Sequence, residues 1–376
     1  MEYANIECIR KYIVLCMVFF IIMNYRTSLA YAHNVFENTV IAESIDDGIK
    51  VLKSCVLRFE NMEDIFIGNS ENNCSGIEIE PGVTLIIDVA SKGNVNIYGG
   101  YYFKDGNEYD CAGIYVPNKS TLIIDSRGEG NLIVYPFDRG AGIGGNGILV
   151  ENFQKRIDCQ NAGNIIIKKG KVLIKNSVEY GEYAKGAGIG GGGVCNVNNE
   201  IKFLYGGNLK MFYMLNGEVT IMMNSEEISN GIGAGIGGGG VANLNNSINN
   251  IQGGNASNIV IEGGKINIYN KSKGVHKGLG AMIGGGGIYN TAEVHIVSKG
   301  RLETLRDSKK INIYCDDEDS IFGDGGIYSN GITIESSFQK ENLSTPIKNF
   351  KGWVIDKALT LGVFFSALFM IFELVT

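Results

Sequence analysis

Gly140-Ala141-Gly142-Ile143-Gly144-Gly145 recurs as GAGIGG from Gly186 and from Gly233, and as GAMIGG from Gly280. The steps are 46, 47 and 47 residues, which makes the segment the mark of a tandem array and not a lone turn. A second segment keeps the same phase. KVLIK at Lys171, EVTIM at Glu218 and KINIY at Lys265 stand 47 residues apart, and KINIY at Lys310 continues them. In each, two aliphatic residues at i and i+2 alternate with mostly polar ones, the signature of a short strand with one buried face. Upstream the step is 37: Gly76-Ile77-Glu78-Ile79-Glu80-Pro81 and Gly113-Ile114-Tyr115-Val116-Pro117 each lead into LIID, at Leu85 and Leu122. GNVNIY at Gly93 and GNLIVY at Gly130 repeat at that same step.

Units this small cannot close a core alone, and strands recurring in phase with no helical pattern between them stack as parallel coils. The expected fold is all-β, a right-handed parallel β-helix with an N-terminal signal and a C-terminal hydrophobic helix. Each 47-residue unit is expected to give two rungs, with Ile143, Ile189, Ile236 and Ile283 in one interior ladder. The 53 glycines against 4 prolines, without a Gly-X-Y period, fit frequent corners and exclude collagen.

Outside the array, residues 1–32 read as a secretory signal: Arg10 and Lys11 precede the apolar run Tyr12 to Met23, and Ala30-Tyr31-Ala32 supplies the cleavage site. Residues 33–70 are expected to form an N-terminal cap with a helical stretch around Ile45 to Leu57, and 71–340 to form the repeats. Residues 341–376 comprise a linker and a hydrophobic segment, Ala358 to Phe372, that either anchors the chain to a membrane or covers the end of the core. Cys8 and Cys16 leave with the signal, and the six remaining cysteines are too sparse for a disulfide scaffold, so buried thiols or a few incidental bridges are expected. The net charge of −7 leaves no electrostatic footprint for nucleic acid.

Gly113 to Asp125 and the Gly140, Gly186 and Gly233 segments resemble a group of secreted bacterial glycine-rich β-helix proteins, related in fold to pectate lyases. The resemblance spans roughly residues 76 to 335 and implies the fold. Some members of that group are calcium-assisted carbohydrate-binding proteins, so the resemblance also implies a glycan ligand and Ca²⁺. The chain departs from the group in its richness in Asn, Lys and Ile and in insertions such as Asn196 to Phe203.

The glycines at 140, 142 and 145 match a dinucleotide fingerprint literally, but a motif repeated in register without a following helix is a corner. Outward positions of the repeating strand stack Tyr269 on Tyr314 and Asn267 on Asn312, a platform of aromatic faces and amides for a sugar, or else an ordinary solvated sheet face. Asp316, Asp317 and Asp319, with Asp324, offer oxygen ligands to Ca²⁺, the favoured reading being a solvated loop. Asp88 and Asp125, the phased carboxylates, read as turn residues. No histidine motif or nucleophile elbow is present, and no residue set reads as catalytic.

The function expected from the sequence is a non-catalytic secreted or cell-surface β-helix that binds polysaccharide or a host or cell-surface glycan, as an adhesin. The alternatives are a polysaccharide lyase or hydrolase of the pectate-lyase fold, and a structural surface spacer.

Overall fold

A computed structural model describes residues 33–335, apart from 72–73, 153, 177–182, 198, 224–229, 271–276, 307–310, 316–320 and 330–333. Among the described residues the chain is all β, and no helix long and apolar enough to cross a membrane occurs. The signal, the linker and the hydrophobic C-terminal segment lie outside the described residues.

The strands stack as a parallel β-helix. The first sheet runs through nine coils, from His33–Val35 to Phe322–Gly323, and within it Ile77, Ile114, Ile143, Ile189, Ile236 and Ile283 pair in register. All six are fully buried, so the ladder expected from the sequence is present and extends further toward the N-terminus. Fully burying each isoleucine contributes about 1.5–3 kcal/mol, and in a solenoid that gain depends on the coils above and below. The KVLIK, EVTIM and KINIY segments form the third sheet in the predicted register, Val172 on Val219 on Ile266 on Ile311. The 37-residue step is likewise one coil, with Leu85 opposite Leu122 in the second sheet.

Ile189 pairs directly with Ile236, 47 residues on, so each unit makes one coil and not two rungs. A coil that long must travel further around the axis. The early coil from Ile114 to Ile143 visits only the first, second and third sheets. From Ile143 onward each coil adds an excursion between the first and second sheets, through a fourth sheet beginning at Gly147–Val150 and a fifth at Arg156–Asp158. The excursion packs its own core, including Ile148, Val150, Ile157, Val194, Leu204, Val241, Ile251 and Ile288, apart from the main one. In cross-section the upper coils therefore have a main lobe and a side lobe.

Glycine forms the waist between the lobes. The runs Gly190 to Gly193, Gly237 to Gly240 and Gly284 to Gly287 cross the returning pairs Gly206-Gly207 and Gly253-Gly254. Backbone bonds zigzag up this crossing: Gly192 N to Gln160 O, Gly207 N to Gly192 O, Gly239 N to Gly207 O, Gly254 N to Gly239 O and Gly286 N to Gly254 O, at 2.8–3.2 Å. No side chain fits there. A Cβ on Gly191 would lie 1.8 Å from the Gly207 carbonyl oxygen.

Two ends of the array differ from expectation or complete it. The helical stretch expected around Ile45 to Leu57 is instead strand: Ile49–Val51 and Cys55–Phe59 pair in parallel with the following coil. Cys55, Leu57 and Phe59 point inward and are buried, a period of two that stacking enforces over any local helical tendency. The 33–70 segment thus supplies coils and not a helical cap. The side lobe has its own lower edge, and the hairpin Tyr101–Lys104 with Asn107–Asp110 covers it by pairing antiparallel with Gly147–Val150. Covering that edge removes an exposed strand that could pair with another chain.

Candidate functional site

The outward column of the first sheet reads Lys50, Glu78, Tyr115, Gly144, Gly190, Gly237 and Gly284. Side chains end and glycine begins where the side lobe starts to cover this face. At that step lies a cavity of about 320 Å³, lined by Cys74, Ser75, Glu78, Tyr102, Cys111, Tyr115, Asn146 and Gln160. The coil 77–113 supplies its floor, the hairpin supplies Tyr102, and the first tier of the side lobe overhangs it.

Asn146 and Gln160 occupy special positions. Asn146 stands where the next coils have Gly192, Gly239 and Gly286, and Gln160 stands where they have Gly207 and Gly254. Only the first tier of the waist has no glycine crossing beneath it, and there the two positions carry side chains. The Asn146 carboxamide oxygen accepts from Ala112 N at 2.8 Å and Ser75 Oγ at 3.3 Å, which ties the coil below to the lobe above. Gln160 Oε1 is buried with no hydrogen-bond partner among the described residues.

Burial keeps most ionisable groups of the cavity neutral. It pushes the Cys74 thiol up to about 11 and Cys111 well above its ordinary value, and it pushes the Tyr115 phenol up to about 12 and Tyr102 upward as well. The thiols are therefore held protonated, the form that is not nucleophilic. Glu78 is the one carboxylate in the lining. Its Oε1 lies 3.1 Å from Lys50 Nζ, which also meets Glu80 Oε1 at 2.8 Å.

Behind Cys111 sits a buried charge cluster that fastens the hairpin. Arg139 Nη1 lies 2.6 Å from Asp110 Oδ2, 2.9 Å from Asp138 Oδ2 and 3.5 Å from Glu108 Oε1. Lys185, one coil higher, is 1% exposed and its Nζ has no hydrogen-bond partner among the described residues. Burial raises Asp110 and Asp138 to about 6 although Arg139 opposes it, and burial lowers Lys185 to about 8.

The sign for Lys185 follows from linkage. Its folded value lies below the ordinary 10.5, so the buried ammonium costs stability at neutral pH, and that cost fades as pH rises from about 8 to 10.5. The full gap corresponds to roughly 3 kcal/mol. Lys185→Met is expected to raise stability at pH 7 by about 1–3 kcal/mol and to remove the rise between pH 7 and 9.5. Urea titrations at both pH values check this, and a less stable variant at pH 7 would refute it.

The other residues singled out by sequence are placed as follows. Tyr269 lies on Tyr314, with ring centroids 4.6 Å apart and planes 4° apart, and Asn312 Nδ2 donates to Asn267 Oδ1 at 3.1 Å. The four lie on the third sheet in two neighbouring columns: Tyr269 and Tyr314 in the one that also holds Lys175 and Met222, and Asn267 and Asn312 in the one that also holds Leu173 and Thr220, with Asn267 buried and not outward as expected. Stacked this way, the rings cover one another's faces, and what the column presents outward is ring edges and hydroxyls. Asp316, Asp317 and Asp319 lie outside the described residues, and Asp324 is exposed. Asp88 and Asp125 lie in strands and not in turns as expected: Asp88 is buried and accepts from Arg127 N of the next coil at 3.0 Å, while Asp125 lies 3.6 Å from Lys168 Nζ. Cys55, Cys74, Cys111, Cys159 and Cys195 are free thiols, and the side chain of Cys315 lies outside the described residues.

Sequence reasoning passed over the cavity because none of its residues forms a recognised motif. The signal was nonetheless present, as Gly-Gly-Asn-Gly at 144–147 against four consecutive glycines in the three later runs. Compared with models of known protein families, with characterised proteins and with solved structures, the chain matches none.

Proposed function

We propose that this chain is an exported, non-catalytic β-helix that binds a saccharide in the cavity beneath the side lobe. The observation that carries the reading is the pair of carboxamides, Asn146 and Gln160, placed where every later coil has glycine and facing a cavity that also holds two phenol rings. Carboxamides offer a donor and an acceptor side by side, which matches neighbouring sugar hydroxyls, and phenol rings provide apolar contact with a polar edge. At about 320 Å³ the space is at the small end of ligand sites, suited to one ring of a longer glycan. A single lining carboxylate falls short of the pair a glycoside hydrolase requires, which favours binding over cleavage. Export rests on the signal over residues 1–32, and attachment at the cell surface rests on the hydrophobic stretch Ala358 to Phe372.

The test is a glycan array with the full chain, secreted from an expression host, with and without Ca²⁺, each bound polysaccharide being assayed for cleavage. Mass spectrometry of the secreted chain is expected to place its N-terminus at His33. Gln160→Gly, which copies the later coils, is expected to weaken binding at least about tenfold, while Tyr269→Ala with Tyr314→Ala leaves it unchanged. The reverse pattern would move the site to the third sheet. Cleavage products would establish the lyase or hydrolase reading, and an array with no signal would overturn the binding reading in favour of a spacer.

A further inference from the structure

We infer that the saccharide taken by this cavity is an amino sugar whose free ammonium is met by the Glu78 carboxylate and the Gln160 carboxamide oxygen. This rests on the saccharide reading above and adds the chemical class.

Three observations converge on it. First, none of the eight lining residues is Lys, Arg or His, and the one group able to carry charge there is the Glu78 carboxylate, because burial holds both thiols and both phenols in their neutral forms. Secondly, the charges around the rim do not balance. Lys50 is shared between Glu78 and Glu80, two carboxylates against one ammonium. Arg139 and Lys185 belong to the buried cluster around Asp110, where Asp110, Asp138 and Glu108 already face Arg139.

Thirdly, a residue that lines the cavity has acceptor capacity that the protein leaves unused. Gln160 Oε1 is buried with no donor among the described residues, whereas the Asn146 oxygen already has two. A buried acceptor without a donor is costly, so a ligand that donates there gains more than one that accepts. An ammonium brings three donors and a positive charge and has no acceptor at all, and phenol rings such as those of Tyr102 and Tyr115 attract a cation more than an anion. A uronic acid or a sulfated sugar would set its anion against Glu78.

Isothermal titration of the full chain with fully deacetylated chitotetraose, its N-acetylated counterpart and cellotetraose tests the inference. The deacetylated sugar is expected to bind at least about tenfold tighter than either neutral one at pH 6.5. Glu78→Gln is expected to erase that preference. Glu80→Gln, which touches the same lysine but does not line the cavity, is expected to keep it, so a general effect of losing a Lys50 partner is separated from a direct one. Equal binding of all three sugars, insensitive to Glu78→Gln and lost in Gln160→Gly, would overturn the amino-sugar inference and leave the saccharide reading standing. Binding of spermidine with none of the sugars bound would overturn both.

Discussion

Gly237→Ala is expected to unfold the array or to cost on the order of 4 kcal/mol, against about 1 kcal/mol for Gly82→Ala. Both glycines have positive φ, +148° and +87°, so both substitutions incur backbone strain. They differ in what a methyl group would meet. Around Gly82 there is nothing within 4 Å, whereas at Gly237 the Cβ would lie 1.8 Å from the Gly284 carbonyl oxygen and 2.8 Å from its carbon. That oxygen cannot move aside, because it accepts from Gly238 N at 2.9 Å and belongs to a glycine at φ +147° with its own neighbour above. The column repeats at Gly144, Gly190, Gly237 and Gly284, so a shift at one level propagates to the next. Urea unfolding of the two variants side by side measures the difference. Equal midpoints would mean that the glycines at the waist are not in contact.

The register of the coils was legible because stacking is periodic in sequence. Ile189, Ile236 and Ile283 occupy equivalent positions 47 residues apart, and nothing but a parallel ladder makes identical short strands neighbours at that distance. The number of strands per coil was not legible. A coil of 47 residues can be two small turns or one large one, and alternation within a strand carries no information on how far the chain travels before it returns. What decides is the crossing of Gly191 with Gly207 and of Gly238 with Gly254, a contact between segments sixteen residues apart whose requirement for glycine is steric. At the N-terminal end, Cys55 and Leu57 read as part of a helical stretch because their alternation is brief, and their pairing partners Leu85 and Ile87 lie 30 residues away.

The site was less legible than the fold for a related reason. A repeat-based reading looks for what recurs, and on the third sheet Tyr269 recurs one coil on as Tyr314, and Asn267 as Asn312. Recurrence at one coil per step places like side chains about 4.8 Å apart, where they satisfy one another by stacking and by amide hydrogen bonds. The cavity forms where recurrence fails, at the first tier of the side lobe, with Asn146 and Gln160 in glycine positions. In a solenoid, a break in a column thus opens a cavity that the unbroken column leaves no room for.

The asparagine ladder carries the second large effect. Asn196, Asn243 and Asn290 are fully buried in the fourth sheet, 47 residues apart. Asn196 Nδ2 donates to Asn243 Oδ1 at 2.8 Å, and Asn243 Nδ2 donates to Asn290 Oδ1 at 2.8 Å and to the Asn246 carbonyl at 2.9 Å. Asn243→Ala removes the middle link and deprives Asn290 Oδ1 and the Asn246 carbonyl of a donor, each worth about 1–3 kcal/mol when buried, for a loss of roughly 3–5 kcal/mol. Asn250→Ala, on the half-buried outer side of the fifth sheet, is expected to stay within about 0.5 kcal/mol. The direction of the ladder gives a sharper result. Asn243 uses its NH₂ group toward two oxygens, so Asn243→Asp sets a buried carboxylate against both and is expected to be more damaging at pH 7 than Asn243→Ala. Protonation restores a donor, so its stability is expected to recover as pH falls toward 4, since a carboxyl whose folded pKa is raised is stabilising only while protonated. Urea midpoints at pH 7 and pH 4 measure both terms: an Asn243→Asp chain as stable as Asn243→Ala at pH 7, with no recovery in acid, would show that the amides do not donate up the ladder.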